Sequence, residues 1–224
     1  MKLHYNTVSP ILLDYLKRLM RNAAFNCFYL AGGTSLALQR GHRMSIDIDL
    51  FTDIDYGSME TEKIKSELNA MFPYTEKVDE LEERQMLYTV YIGDDKDSIV
   101  KLDLCYDQGE PIFHPIIIDG LRLADERDIA AMKIEATLQQ EQRRKDFWDI
   151  HDLLESYTVE KLLSLHKQRY PYSHDRETIA DAFSKCRQST DITEVICLKG
   201  KYWEFIAEDI VSLAPEILRL NQNN

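Results

Sequence analysis

The stretch Ser45-Ile46-Asp47-Ile48-Asp49-Leu50-Phe51 alternates between apolar and acidic residues. Side chains of a β-strand alternate between faces, so this period of two predicts a strand with Asp47 and Asp49 on one face and Ile46, Ile48 and Leu50 on the other. Two like charges side by side repel unless something positive lies between them. The pattern therefore asks for a half-buried sheet and for a cation on its acidic face. A divalent ion meets that demand. Magnesium, or manganese, prefers oxygen ligands and often takes one or two protein carboxylates together with substrate phosphates.

Two further segments extend this chemistry. In Val100-Lys101-Leu102-Asp103-Leu104-Cys105 the apolar residues again share one face, and Lys101, Asp103 and Cys105 the other. If that strand neighbours the 46–51 strand, Asp103 joins the pair, and three carboxylates can hold two metals about 3.5–4 Å apart, as in phosphoryl transfer. Upstream, the apolar strand candidate Phe28-Tyr29-Leu30-Ala31 is broken by Gly32-Gly33, and Thr34 to Arg40 reads as a short helix. Glycines after a strand let the backbone approach a ligand, and a helix N-terminus offers N–H groups and a positive dipole end to a phosphate. Gly32, Gly33, Thr34 and Ser35 thus form a candidate phosphate cradle a short loop away from candidate metal ligands Asp47, Asp49 and Asp103.

The rest of the chain supplies the scaffold. Ser9-Pro10 predicts a helix start, with Ile11, Leu12, Tyr15, Leu16, Leu19 and Met20 on one face. A helix is expected over Ser58 to Met71, and strands over Met86 to Ile92 and Ile99 to Tyr106 around the turn-like Gly93-Asp94-Asp95. Pro115 argues against a central strand in Pro111 to Ile118. The texture changes near residue 124. Beyond it, helices are expected from Asp125 to about Gln140, then at about 146–156, 158–168, 176–187 and 202–219. The reading is α+β: a small mixed β-sheet core with flanking helices over residues 1–124, then a helical C-terminal domain over 125–224, with the site in a cleft between them.

Composition narrows the function classes. Of 224 residues, 27 are lysine or arginine and 39 aspartate or glutamate, a net charge of −12, so non-specific coating of nucleic acid is disfavoured. No apolar run reaches the roughly 18 residues that span a bilayer. Nor does the sequence open with a continuous apolar stretch of the signal-peptide kind. The four cysteines form no CxxC pair, which argues against a disulfide framework or structural zinc. A reduced, cytoplasmic location with no membrane partner is the expectation.

The ordered set from Leu30-Ala31-Gly32-Gly33-Thr34-Ser35-Leu36-Ala37-Leu38 to Ser45 through Phe51 resembles the polymerase-β-type nucleotidyltransferases. Their signature is a glycine pair or Gly-Ser followed about nine to thirteen residues later by Asp-x-Asp. Thirteen residues lie between Gly33 and Asp47. Within that superfamily the chain is most similar to the AbiEii/AbiGii toxin group. Arg43 to Phe51, Asp128-Ile-Ala-Ala-Met-Lys133-Ile-Glu-Ala and Arg144-Lys145-Asp146-Phe-Trp-Asp149-Ile carry that likeness, which covers most of residues 25–155. The resemblance implies a small mixed sheet and transfer of a nucleoside monophosphate from a nucleoside triphosphate to an acceptor hydroxyl, with tRNA as an acceptor. It implies that Asp47 and Asp49 bind metal and triphosphate. Asp103 would be a metal ligand or activate the acceptor hydroxyl, and Lys133, Lys145 and Asp146 would contact the nucleotide. It also implies a toxin of an abortive-infection system whose genetic partner is a cognate antitoxin.

Two alternatives remain open from the sequence. Arg144 and His151, with six residues between them, resemble the Arg-x(4–6)-His signature of HEPN ribonucleases. A non-catalytic nucleotide-binding module would also satisfy the Gly-Gly and Asp-x-Asp patterns.

Overall fold

Among the described residues, strand β2 (Asp47–Thr52) is the middle strand of a seven-stranded sheet. The computed structural model describes residues 1–77, 86–107, 109, 111–139, 142–191 and 193–220. Around β2 lie β1 (Tyr29–Leu30), β3 (Tyr74–Lys77), β4 (Leu87–Gly93), β5 (Ile99–Tyr106), β6 (Ile116–Ile118) and β7 (Leu121–Leu123), in the order β3-β4-β5-β2-β1-β7-β6. The pairs β2/β5 and β1/β7 are parallel and the others antiparallel, so the sheet is mixed.

Register explains why β2 and β5 sit where they do. Ile48 pairs with Leu102 and Leu50 with Leu104, and all four are buried. Burying each such side chain stabilises the fold by about 1.5–3 kcal/mol. A slip of β2 by one residue would turn Ile48 and Leu50 to the opposite face and bring Asp47 and Asp49 into the core. Helix α1 (Pro10–Arg21) packs against β2 and β7. Its start is fixed as the sequence predicts: Pro10 opens it and the Ser9 hydroxyl accepts a hydrogen bond from the Leu12 N–H. Leu12, Tyr15, Leu16, Leu19 and Met20 are buried, whereas Ile11, expected on the same face, is exposed. Helix α2 (Gly32–Arg40) packs against β2, and α3 (Thr61–Met71) follows.

Some elements differ from expectation. Helix α2 begins at Gly32, so the glycines belong to its first turn and not to a separate break. Strand β3 is short, half-exposed and polar, and carries no period-two signal. Strands β6 and β7 form a hairpin that the sequence reading did not foresee. Pro115 precedes β6 and removes no ladder hydrogen bond. The turn is Asp119-Gly120, with φ of 51° and 78°, a residue pair that favours the left-handed turns closing tight hairpins.

The remaining helices are α4 (Glu126–Thr137), α5 (Arg144–Leu153), α6 (Val159–Arg169), α7 (Arg176–Ser184) and α8 (Trp203–Arg219). Asp125, Thr158 and Asp175 cap α4, α6 and α7 through their side-chain oxygens. Helix α4 ends at Thr137; Gln140, where the sequence reading ended it, lies outside the described residues. Helix α4 packs on α5 and α6, and α8 on α5 and α7, around Ile134, Phe147, Ile150, Leu163, Phe183 and Ile210. Among the described residues no helix is long and apolar enough to cross a membrane.

Two compact units result. One comprises Met1–Arg40, Ser45–Glu110 and His114–Ala124. The other comprises Asp125–Asn224 with two short excursions of the earlier chain, Gly41–Met44 and Pro111–Phe113.

Candidate active site

In the sheet unit, the acidic residues of β2 and β5 share one face. Asp49 pairs directly with Asp103, and Asp47 lies two residues before Asp49. Asp47 and Asp49 are half-buried, in contrast to the fully buried Ile48 and Leu50 between and beside them.

Gly32 brings the start of α2 against this face. The Ala31 N–H donates to the Asp49 carbonyl at 2.9 Å, continuing the β1/β2 ladder. Gly32 then adopts φ +61°, and a Cβ added to it would lie 2.5 Å from Asp49 Oδ2. Both the left-handed backbone and the close carboxylate require glycine here. The N–H groups of Gly33 and Thr34 follow in the first turn, where amides have no intrahelical partner. The first intrahelical bond runs from the Ser35 N–H to the Ala31 carbonyl.

The hydroxyls of Thr34 and Ser35, expected to face phosphate, lie in the interior. Both residues are fully buried. Thr34 Oγ1 donates to the Asp47 carbonyl, and with its one hydrogen so used it accepts from Ser45 Oγ at 2.8 Å. Ser35 Oγ accepts from Gln39 Nε2 at 3.1 Å. Thr34 thereby ties the loop at Ser45 and the first residue of β2 to α2.

Asp103 is already engaged. Thr89, opposite it on β4, donates from its hydroxyl to Oδ1 at 2.7 Å, and Lys101 Nζ donates to Oδ2 at 2.6 Å. Burial works against the Lys101 ammonium, but the hydrogen bond and charge of Asp103, with Asp47 and Asp49 pulling the same way, raise its pKa above the ordinary value. Cys105 follows on the same face. Burial above all, then the charges of Asp49 and Asp103, push its thiol up.

Among the described residues no group of three or more His, Cys, Asp or Glu side chains is arranged to hold a metal ion. Two carboxylates suffice for magnesium when substrate phosphates complete the shell. Asp47 and Asp49, all-oxygen donors two residues apart on one strand face, fit that role.

The helical unit holds a second cluster. Lys133 on α4 places Nζ 2.7 Å from Asp146 Oδ1 and 2.6 Å from Asp149 Oδ2, both on α5. Asp149 also receives Arg43 in a bidentate pair, Nε to Oδ1 at 2.6 Å and Nη2 to Oδ2 at 2.9 Å, and His42 Nε2 at 2.7 Å. Burial would raise the Asp149 carboxyl, but Arg43 and Lys133 hold it well below the usual carboxylate range. Burial likewise opposes the Lys133 charge, and Asp146 and Asp149 outweigh it, so its pKa is raised. Of the three residues expected to contact nucleotide in this half, Lys133 and Asp146 are thus buried in an ion-pair network, while Lys145 is half-exposed. The sequence reading did not single out Asp149 as a site residue. Spacing offered a signal for Asp149: it lies three residues after Asp146, on the same helix face.

Arg144 and His151, the rival pair, both lie on α5. His151 Nε2 lies 2.8 Å from Asp209 Oδ2, and Lys201 Nζ lies 3.3 Å from its Nδ1. Arg144 lies over the Trp203 ring, 5.2 Å from its centroid.

Known proteins agree with this architecture. The JHP933 structure from Helicobacter pylori superposes with a TM-score of 0.56 at 18% identity, covering 94% of this chain and 93% of that one. A second H. pylori chain, solved as a candidate nucleotidyltransferase, gives 0.57 at 20% identity over 99% of each. These likenesses establish a shared fold. The uncharacterized protein aq_aa25 of Aquifex aeolicus is 28% identical over 167 residues, 70% of this chain and 73% of that one. The model of the AbiEii nucleotidyl transferase toxin of type IV toxin–antitoxin systems matches residues 14–220, and the chain belongs to that family of nucleotidyltransferase toxins.

Proposed function

We propose that this toxin transfers a nucleoside monophosphate from a nucleoside triphosphate to an acceptor hydroxyl in a magnesium- or manganese-dependent reaction, with tRNA as the acceptor. Residues 1–124 would form the nucleotidyltransferase core domain and 125–224 the helical domain. The observation that carries this reading is the alignment of Asp47, Asp49 and Asp103 on one sheet face, with the first turn of α2 held against Asp49.

In this reading Asp47 and Asp49 hold the metal and the triphosphate it carries. A bound divalent ion supplies charge neutralisation at the phosphates and polarises the reacting oxygens. The amides of Gly32, Gly33 and Thr34 face the phosphates, while the Thr34 hydroxyl keeps the turn and β2 in register and the Ser35 hydroxyl stays within α2. The acceptor oxygen attacks the α-phosphorus in line, the bond to the bridging oxygen breaks, and pyrophosphate leaves with the electron pair. Asp103 takes the hydroxyl proton. Lys133, Lys145 and Asp146 are assigned to the nucleotide: Lys145 by charge, Lys133 and Asp146 through the buried network. The family is one of type IV toxin–antitoxin systems. A transcriptional-regulator antitoxin as genetic partner, an abortive-infection role and a cytoplasmic setting complete the proposal.

Induced expression in a bacterial host tests the reading at the level of the cell. Wild-type protein should arrest growth, and Asp47→Ala at matched expression should not. Growth arrest by the Asp47→Ala protein would remove the sheet carboxylates from the mechanism.

A further inference from the structure

The acidic face of β2 and β5 carries one positive charge of its own. Lys101 pairs with Asp47 in the parallel register and lies two residues before Asp103, so it leaves the sheet on the carboxylate face. Its ammonium is 2.6 Å from Asp103 Oδ2, while Asp103 Oδ1 is taken by Thr89. Lys101 is also attracted by the charges of Asp47 and Asp49. A divalent ion brought to the same Asp103 oxygen would meet an ammonium in direct contact, a repulsion that grows on a half-buried face.

We infer that Lys101 is a positioning residue that fills the second cation place of the site, so that the free protein takes one divalent ion, on Asp47 and Asp49, and not two. This rests on the nucleotidyl-transfer site proposed above. It adds that Asp103 is not a metal ligand in the free protein: Lys101 and Thr89 hold it in place.

Manganese counting on the full-length protein tests the inference without requiring turnover. The unbound ion is read by electron paramagnetic resonance during titration with MnCl2 alone, and melting by circular dichroism confirms that each variant is folded. Wild-type protein should bind one Mn2+ per chain, lost in Asp49→Asn. Lys101→Met should bind two, the first roughly tenfold more tightly because a neighbouring positive charge is gone. Lys101→Arg, which keeps the cation, should return to one. Should Lys101→Met fail to fold, Lys101→Gln takes its place. Two ions on the wild-type protein overturn the inference, as does a Lys101→Met protein that matches wild type in number and affinity. No manganese on any variant overturns the metal site itself, and the inference with it. That result is distinct from a wild-type count of two.

Discussion

Asp49 Oδ2 occupies the space that a side chain on Gly32 would need, 2.5 Å from the position of its Cβ. The contact links the start of α2 to the middle strand of the sheet. Only a residue without a side chain allows the turn amides and the carboxylate to stand this close.

Gly32→Ala is therefore expected to lower nucleotidyl transfer by about 100-fold or more, because displacing a reacting group by about an ångström costs that much. Its stability cost from the left-handed backbone should be only about 1–2 kcal/mol. Gly57→Ala is the control: its φ is +83°, and nothing lies within 4 Å of an added Cβ. Urea unfolding and transfer assays on both variants separate backbone strain from carboxylate displacement. Similar activity in the two would contradict the assigned role of the Gly32–Asp49 contact.

The buried network should behave as structure first. Asp149→Asn leaves Arg43 and Lys133 without their shared counter-charge and should cost about 3–5 kcal/mol of unfolding free energy. Because the folded-state pKa of Asp149 is depressed, its contribution is present above the ordinary carboxylate value and is lost as pH falls through the far lower folded value. At neutral pH it is therefore complete, and denaturant titration at pH 7 measures it.

A pH dependence should arise from α6 and the turn that follows it. His166 is fully buried, with Nε2 2.9 Å from Glu135 Oε2 and Nδ1 2.8 Å from His174 Nδ1. Donation to the carboxylate makes His166 Nδ1 the acceptor, so His174 Nδ1 carries the hydrogen between them. Burial, then the neighbouring positive groups, lower the His174 pKa to about 4. The unfolded chain binds this proton near pH 6.5. The contribution to stability is thus full above about 6.5 and is lost as pH falls towards 4. His174→Ala should show a shallower loss of unfolding free energy across that window; an unchanged slope would exclude the pair as its source.

His151→Ala should leave transfer within about threefold of wild type, since the side chain is held by Asp209 and Lys201 and has no assigned proton to move. Loss of growth arrest in this variant, with transfer intact, would favour the ribonuclease alternative.

The acidic face was legible because alternation is a local pattern. Ile48, Leu50, Leu102 and Leu104 announce both strands and their buried side without reference to any partner. The Gly32–Asp49 contact was not, because it depends on the register of β1 against β2. The Thr34 and Ser35 hydroxyls read as ligand donors because sequence does not distinguish a hydroxyl turned inward from one turned to solvent. Lys133, Asp149 and Arg43 come together from helix packing and from a four-residue excursion of the chain between α2 and β2. No spacing rule encodes a pair 106 residues apart. The β6/β7 hairpin carried a local signal in Asp119-Gly120 that the sequence reading did not use.

The most direct measurement of the central claim is transfer itself. The protein is incubated with each α-labelled nucleoside triphosphate in turn, with magnesium and total RNA, and label on RNA is counted with and without a chelator. The account requires label from at least one triphosphate, abolished by the chelator and reduced by orders of magnitude in Asp49→Asn, with folding barely changed. Full transfer by folded Asp49→Asn, or no label on RNA from any of the four, would contradict it.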